Sequence, residues 1–181
     1  HLGALAAGIR LLPLGVMPLL IGPRAGALAD RFGERTLIVA GTLAMTCGMA
    51  WMAVVAAPGV GYVELVAPMT LVGVGIALGI PAMTRAVVSR VAPADLAKAS
   101  GTFSTLRQLG GAFGVAVLGA VFAVTGGFAT AQTFGDGYVA VLAVSASLSG
   151  GALAAALAVP GRHRHDPLVA TIPQRSRVAT R

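Results

Sequence analysis

The stretch "GALADRFGERT", residues 26–36, sets Asp30, Arg31, Glu34 and Arg35 between two apolar runs, and its position decides how the chain is folded. On its N-terminal side, residues 2–23 are interrupted by one charge, Arg10, and on its C-terminal side residues 36–63 carry none. An apolar run of about 18 residues or more with few charges is long enough to cross a bilayer. The segment is therefore expected to be a tight charged turn between two membrane-spanning helices.

Three further runs follow, at residues 65–84, 108–135 and 137–161. Charged residues are only 10% of the 181, and the mean hydropathy is +0.86, against about 25% charged residues in ordinary soluble domains. The expected fold is an all-α polytopic membrane protein of five helices, near 4–28, 36–58, 63–84, 100–125 and 137–160. Each can cross a hydrocarbon core of roughly 30 Å at about 1.5 Å per residue. The last segment, 162–181, has breakers and basic residues but no periodic apolar face, and is expected to be a disordered basic tail.

The net charge of +7 would suggest nucleic acid in a soluble chain, so the placement of the basic residues has to decide. Arg24, Arg31 and Arg35 fall between runs one and two, Arg85, Arg90 and Lys98 between three and four, with Arg107 opening run four. Arg162, Arg164, Arg175, Arg177 and Arg181 follow run five. The alternate connections hold no Lys or Arg, so Arg10 alone falls outside the pattern. This is the asymmetry of a multi-pass protein whose basic side faces the cytoplasm. It argues for a lipid bilayer partner rather than nucleic acid and puts the C-terminus in the cytoplasm. Few Lys beside abundant Ala, Gly and Arg point to a bacterial source and hence to the plasma (inner) membrane.

Glycine is frequent inside the expected spans, where small residues let helix backbones approach. Gly75 and Gly79, four apart, and Gly110 and Gly114, also four apart, are the candidate packing pairs. Pro13, Pro18, Pro23 and Pro81 remove backbone donors and are expected to bend their helices.

The charged turn resembles the Gly-x-Leu-x-Asp-Arg-x-Gly-x-Arg loop of the major facilitator superfamily, with Gly26, Leu28, Asp30, Arg31, Gly33 and Arg35 at the matching positions. Glu34 stands where that family usually has a basic residue. The run "LAAGIRLLPLGVMPLLIGPRAGALADRFGER", then "GVGIALGIPAM", then "SGTFSTLRQLGGAFGVAVLGAVF" is similar in order to the last five helices of the fourteen-helix drug:proton antiporter branch. The resemblance covers about residues 4–160. It implies a secondary active transporter, a proton-coupled multidrug efflux antiporter working by alternating access, of which this chain is a C-terminal fragment. Its partners would be a lipophilic or cationic small molecule, protons, and the N-terminal half of the same chain, where the coupling acid is expected.

The residues support roles of their own. Gly26, Asp30, Arg31, Gly33 and Arg35 form a candidate conformational-switch loop. Gly33 allows a turn of positive φ, Gly26 a close helix approach, and Asp30 an acceptor for a helix N-terminus or a neighbouring Arg. Glu34 fits neither the orienting nor the latching role. Arg10, Arg107 and Gln108 are candidates for a solute pathway, because an ionisable group at membrane depth is functional by default; Arg10 suits the outer mouth of a cavity or a snorkelling position best.

Other classes find less support. A membrane enzyme needs converging nucleophile, base or metal ligands, whereas His1, His163 and His165 lie at the chain ends and Cys47 is the single cysteine. No enzyme activity, cofactor or metal is expected. A nutrient or metabolite transporter of the same superfamily, or a non-transporting membrane assembly protein, shares the same helical pattern.

Overall fold

The computed structural model describes residues 4–56 and 60–158. Within them the chain is helical: α1 (Ala4–Arg10), α2 (Leu12–Phe32), α3 (Glu34–Val55), α4 (Tyr62–Val88), α5 (Leu96–Thr125) and α6 (Ala131–Ala158), with one 3₁₀ turn at Pro93–Asp95. From α2 onward, five helices are long and apolar enough to span a membrane. The sequence-derived tail at 162–181 lies outside the described residues.

Side-chain chemistry sets the helix limits. The first expected helix, 4–28, is broken at Leu11, where the N–H of Leu11 turns back to the Gly8 carbonyl at 3.1 Å. Pro13 then occupies the first turn of α2, where its missing N–H costs nothing. It starts a helix rather than bending one, while Pro18 and Pro23 lie inside α2. α2 continues to Phe32, α4 runs to Val88 rather than 84, and α5 begins at Leu96 rather than 100. α6 begins at Ala131 rather than 137 because Thr130 and Thr133 cap it reciprocally. The Thr133 N–H donates to Thr130 Oγ1 at 3.1 Å, and the Thr130 N–H to Thr133 Oγ1 at 3.2 Å.

Gly33 is the only residue between α2 and α3, with φ +85° and ψ 149°. That region of backbone space is essentially reserved for glycine. The reversal puts the ends of α2, α4 and α6 and the starts of α3 and α5 at one end of the bundle, which also carries most of the described Arg residues, Arg24, Arg31, Arg35, Arg85 and Arg90.

α4 is the central helix, packed on α2 and α3; α6 packs on α3, and α5 chiefly on α6. Glycine makes the α3–α4 contact. A Cβ on Gly41 would sit 2.8 Å from the Gly79 amide nitrogen, and one on Gly75 would sit 2.6 Å from the Gly41 carbonyl oxygen. Further along the same seam, a Cβ on Gly48 would meet the Pro68 carbonyl oxygen at 3.0 Å. Gly73 serves α2 in the same way, 2.8 Å from the Leu14 carbonyl oxygen. Around Gly110 and Gly114, by contrast, there is no atom within 4 Å of the Cβ position. Within the described residues this second small pair packs against nothing, and α5 has no buried residue.

Hydroxyls in the spans bond back to their own helix. Thr42 donates to the Ile38 carbonyl at 2.8 Å, Thr70 to Val66 at 2.7 Å and Thr105 to Gly101 at 3.0 Å. Such pairing removes the cost of a bare hydroxyl in a medium without water. Large apolar side chains such as Val54, Val63, Phe113 and Val124 remain exposed, on faces open to lipid or to further helices.

Candidate functional site

At the Arg-rich end, Arg85 on the last turn of α4 gathers the charged turn. Its Nη1 donates to the Gly26 carbonyl at 3.1 Å, its Nη2 pairs with Asp30 Oδ1, and its Nε lies 3.7 Å from Glu34 Oε1. One planar guanidinium with fixed donors thereby ties α4 to α2 and α3 at once. Ser89 Oγ adds a hydrogen bond of 3.3 Å to Glu34 Oε2. Of the two partners expected for Asp30, the structure thus has an Arg rather than a helix N-terminus, and that Arg is distant in sequence.

Glu34, which neither sequence-level role used, is the least exposed carboxylate of the cluster, its side chain 11% accessible against 65% for Asp30. It opens the first turn of α3, where the helix dipole favours a negative charge. An acidic residue here adds a second anchor for Arg85 where a basic one would repel it. Gly26 has a different part from the one expected. A Cβ there would lie 3.9 Å from Arg85 Nη1, ordinary contact, so its carbonyl matters rather than its small size. The buried contact here is made by Ala29 with Leu37 and Ala82, and Ala25, one turn earlier, is buried as well.

The other two Arg residues of the turn diverge. Arg35 donates from Nη2 to the Leu157 carbonyl at 2.8 Å, placing a cation on the C-terminal end of α6. Arg31 lies over its neighbour Phe32, 5.5 Å from the ring centroid, and takes no part in the clamp.

At the opposite end, a cavity of about 910 Å³ opens among α2, α3, α4 and α6. Met45, Met49, Met52 and Met69 line it with Phe134 and Tyr138, giving a polarizable apolar wall. Arg10 stands at its edge, its guanidinium 5.4 Å from the centre of the Tyr62 ring, while the Tyr62 hydroxyl donates to the Arg10 carbonyl at 3.1 Å. Among the described residues lining this cavity, Arg10 carries the only formal charge.

Arg10, Arg107 and Gln108 do not converge. Arg107 borders a separate space of about 240 Å³ with Thr84 and Ser104, and Gln108 Nε2 donates to Ser104 Oγ at 3.4 Å on its own helix. Because α5 starts at Leu96, Arg107 lies roughly 17 Å along it rather than at its mouth.

The five apolar helices, the ionic clamp at one end and the open cavity toward the other define a polytopic helical membrane protein of transporter type. The family model described as Major Facilitator Superfamily matches residues 2–179, and the chain belongs to that superfamily of membrane transporters. It is 32% identical over 145 residues to the cephamycin export protein of Amycolatopsis lactamdurans, covering 76% of this chain and 29% of that protein. It is 33% identical over 165 residues to the tetracenomycin C resistance and export protein of Streptomyces glaucescens, covering 87% of this chain and 30% of that one. A multidrug resistance protein B homolog of Mycobacterium tuberculosis is 26% identical over 119 residues, 65% of this chain and 22% of that protein. The chain thus spans less than a third of the length of these curated relatives.

Proposed function

We propose that the chain forms part of an exporter of lipophilic small molecules that works by proton-coupled alternating access in a bacterial plasma membrane, with its Arg-rich end in the cytoplasm. The observation that carries this reading is the clamp of Arg85 on Gly26, Asp30 and Glu34. It joins three helix ends through side chains, of which Arg85 and Asp30 are exposed, so it can open without unfolding the helices that bear it. A contact of this kind biases one of two conformations by its differential strength in each. The cephamycin and tetracenomycin C relatives, both export proteins by name, support the direction of transport.

The Met-lined cavity supplies apolar contacts for the substrate, whereas a counter-charge for a cationic one is not among its lining residues. Carboxylates of the described helices lie toward their ends, at Asp30, Glu34, Glu64 and Asp136, which supports a reading in which another part of the protein supplies the coupling acid. Catalysis has no part in this reading.

The test is transport by the intact protein carrying Asp30→Asn or Arg85→Gln. Both variants are expected to reach the membrane at normal levels and to lose most of their efflux. Normal efflux at normal expression would remove the clamp from the mechanism.

A further inference from the structure

Beside the clamp, two cavities share a wall. The first, about 440 Å³, lies between the Arg-rich ends of α3, α4 and α6 and the second turn of α5, with Ile38, Met83, Val87 and Phe103 among its apolar lining residues. The second, about 410 Å³, surrounds the charged turn. Glu34, Arg35 and Arg90 line both. An apolar hollow thus continues into a polar one across two guanidiniums.

The balance of charge in the polar part is positive. Arg35, Arg85 and Arg90 line it against Asp30 and Glu34, and Arg85 is already engaged by both carboxylates. Arg35 places one of its nitrogens on the Leu157 carbonyl, which fixes the guanidinium at the boundary and leaves its other N–H groups in the fork geometry that suits phosphate. The apolar part is open along Ala152 and Ala155, small exposed residues of α6. Ile38 is one turn into α3, and Met83 and Val87 are in the last two turns of α4. The hollow therefore lies within roughly 10 Å of the helix ends, the depth at which headgroup phosphates give way to acyl chains.

We propose that these joined cavities bind one anionic phospholipid, its phosphate between Arg35 and Arg90 and one acyl chain against Ile38, Val87 and Phe103. A basic pocket between helix ends over an apolar hollow has both halves of the chemistry that such a lipid presents. Occupancy would set a phosphate beside Glu34 and Arg85, and so couple bilayer composition to the clamp. The site stands on its own cavities and charges, independent of whether the chain transports.

The experiment is native mass spectrometry of the intact protein in detergent, titrated with phosphatidylglycerol or, separately, phosphatidylcholine. One phosphatidylglycerol is expected to bind before any others, and phosphatidylcholine to show no such preferred first molecule. Arg35→Gln with Arg90→Gln should weaken that first binding about tenfold or more, while Arg24→Gln, a control Arg outside both cavities, should leave it unchanged. Ala155→Phe, which keeps every charge and fills the apolar part, should weaken it too; this variant guards against loss of binding through a disturbed α3–α6 contact. Equal binding of the two lipids would overturn the proposal, as would an equal effect of Arg24→Gln, which would mark general attraction to basic surface. Glycerol phosphate without acyl chains, protecting the site from phosphatidylglycerol at equal concentration, would reassign it to a free anion and overturn the lipid.

Discussion

Gly41 lies against Gly79 so closely that a Cβ on Gly41 would stand 2.8 Å from the Gly79 amide nitrogen and 2.9 Å from the Gly75 carbonyl oxygen. Both obstacles are backbone, so neither can step aside by a change of rotamer. The Gly41→Val variant is expected to push α3 off α4 and cost about 1–3 kcal/mol, the usual range for overpacking a filled interior. Gly110→Val, on a helix surface with open space around the Cβ position, serves as the control. Thermal unfolding in detergent should show a clear fall in midpoint for the first and little change for the second; equal falls would mean that the α3–α4 seam is looser than described.

Gly33 gives a second, purely conformational prediction. Its φ of +85° with ψ of 149° is a region that Asn, tolerant of ordinary left-handed turns, does not favour either. No atom lies within 4 Å of its Cβ position, so crowding contributes nothing. Gly33→Ala and Gly33→Asn should both destabilise by about 1–3 kcal/mol. If Asn matched the wild type in thermal unfolding, the turn would be an ordinary left-handed one.

The contrast between these glycines shows where local sequence carries information and where it does not. Membrane spans were legible because hydropathy sums over a whole run, so five helices and the family could be inferred from "GALADRFGERT" and its flanks. Their ends were less so: α6 starts early through the Thr130–Thr133 cap, a two-residue effect hidden beneath the average. Spacing alone could not tell which small residues pack, since Gly75–Gly79 and Gly110–Gly114 look alike. The difference lies in whether a partner helix supplies Gly41 and Gly48, whose seven-residue spacing on one face was the unused signal. Arg85 was legible only as topology. Its bond to Asp30 joins residues 55 apart, and Glu34 acquires its meaning from that distant Arg, not from its neighbours.

The proposed orientation of the bundle rests on charge placement and can be checked by labelling. Cys47 is exposed on α3, so the background is Cys47→Ser. In intact cells, an impermeant maleimide should modify Asp136→Cys, near the start of α6, and leave Ala92→Cys unmodified until the cells are opened. Labelling of Ala92→Cys alone would invert the protein in the membrane and move the Arg-rich clamp to the outside.

The Arg10 edge of the large cavity leads to a prediction about selectivity. Arg10 and Tyr62 hold each other twice, once through the ring face and once through the Arg10 carbonyl. A cation over an aromatic ring at an exposed site contributes about 0.5–1 kcal/mol, enough to position the guanidinium but not to neutralise it. Because it is the only formal charge among the described lining residues, it should favour a lipophilic substrate carrying a carboxylate or phenolate over one carrying an ammonium. Arg10→Gln is therefore expected to raise the half-maximal concentration for efflux of an anionic lipophilic dye several-fold, with little effect on a neutral dye of the same size. Tyr62→Phe keeps the ring under the guanidinium and should keep the preference, whereas Tyr62→Ala frees Arg10 and should blunt it. Equal losses for both dyes in Arg10→Gln would show that Arg10 supports the break between α1 and α2 instead of reading the charge of the substrate.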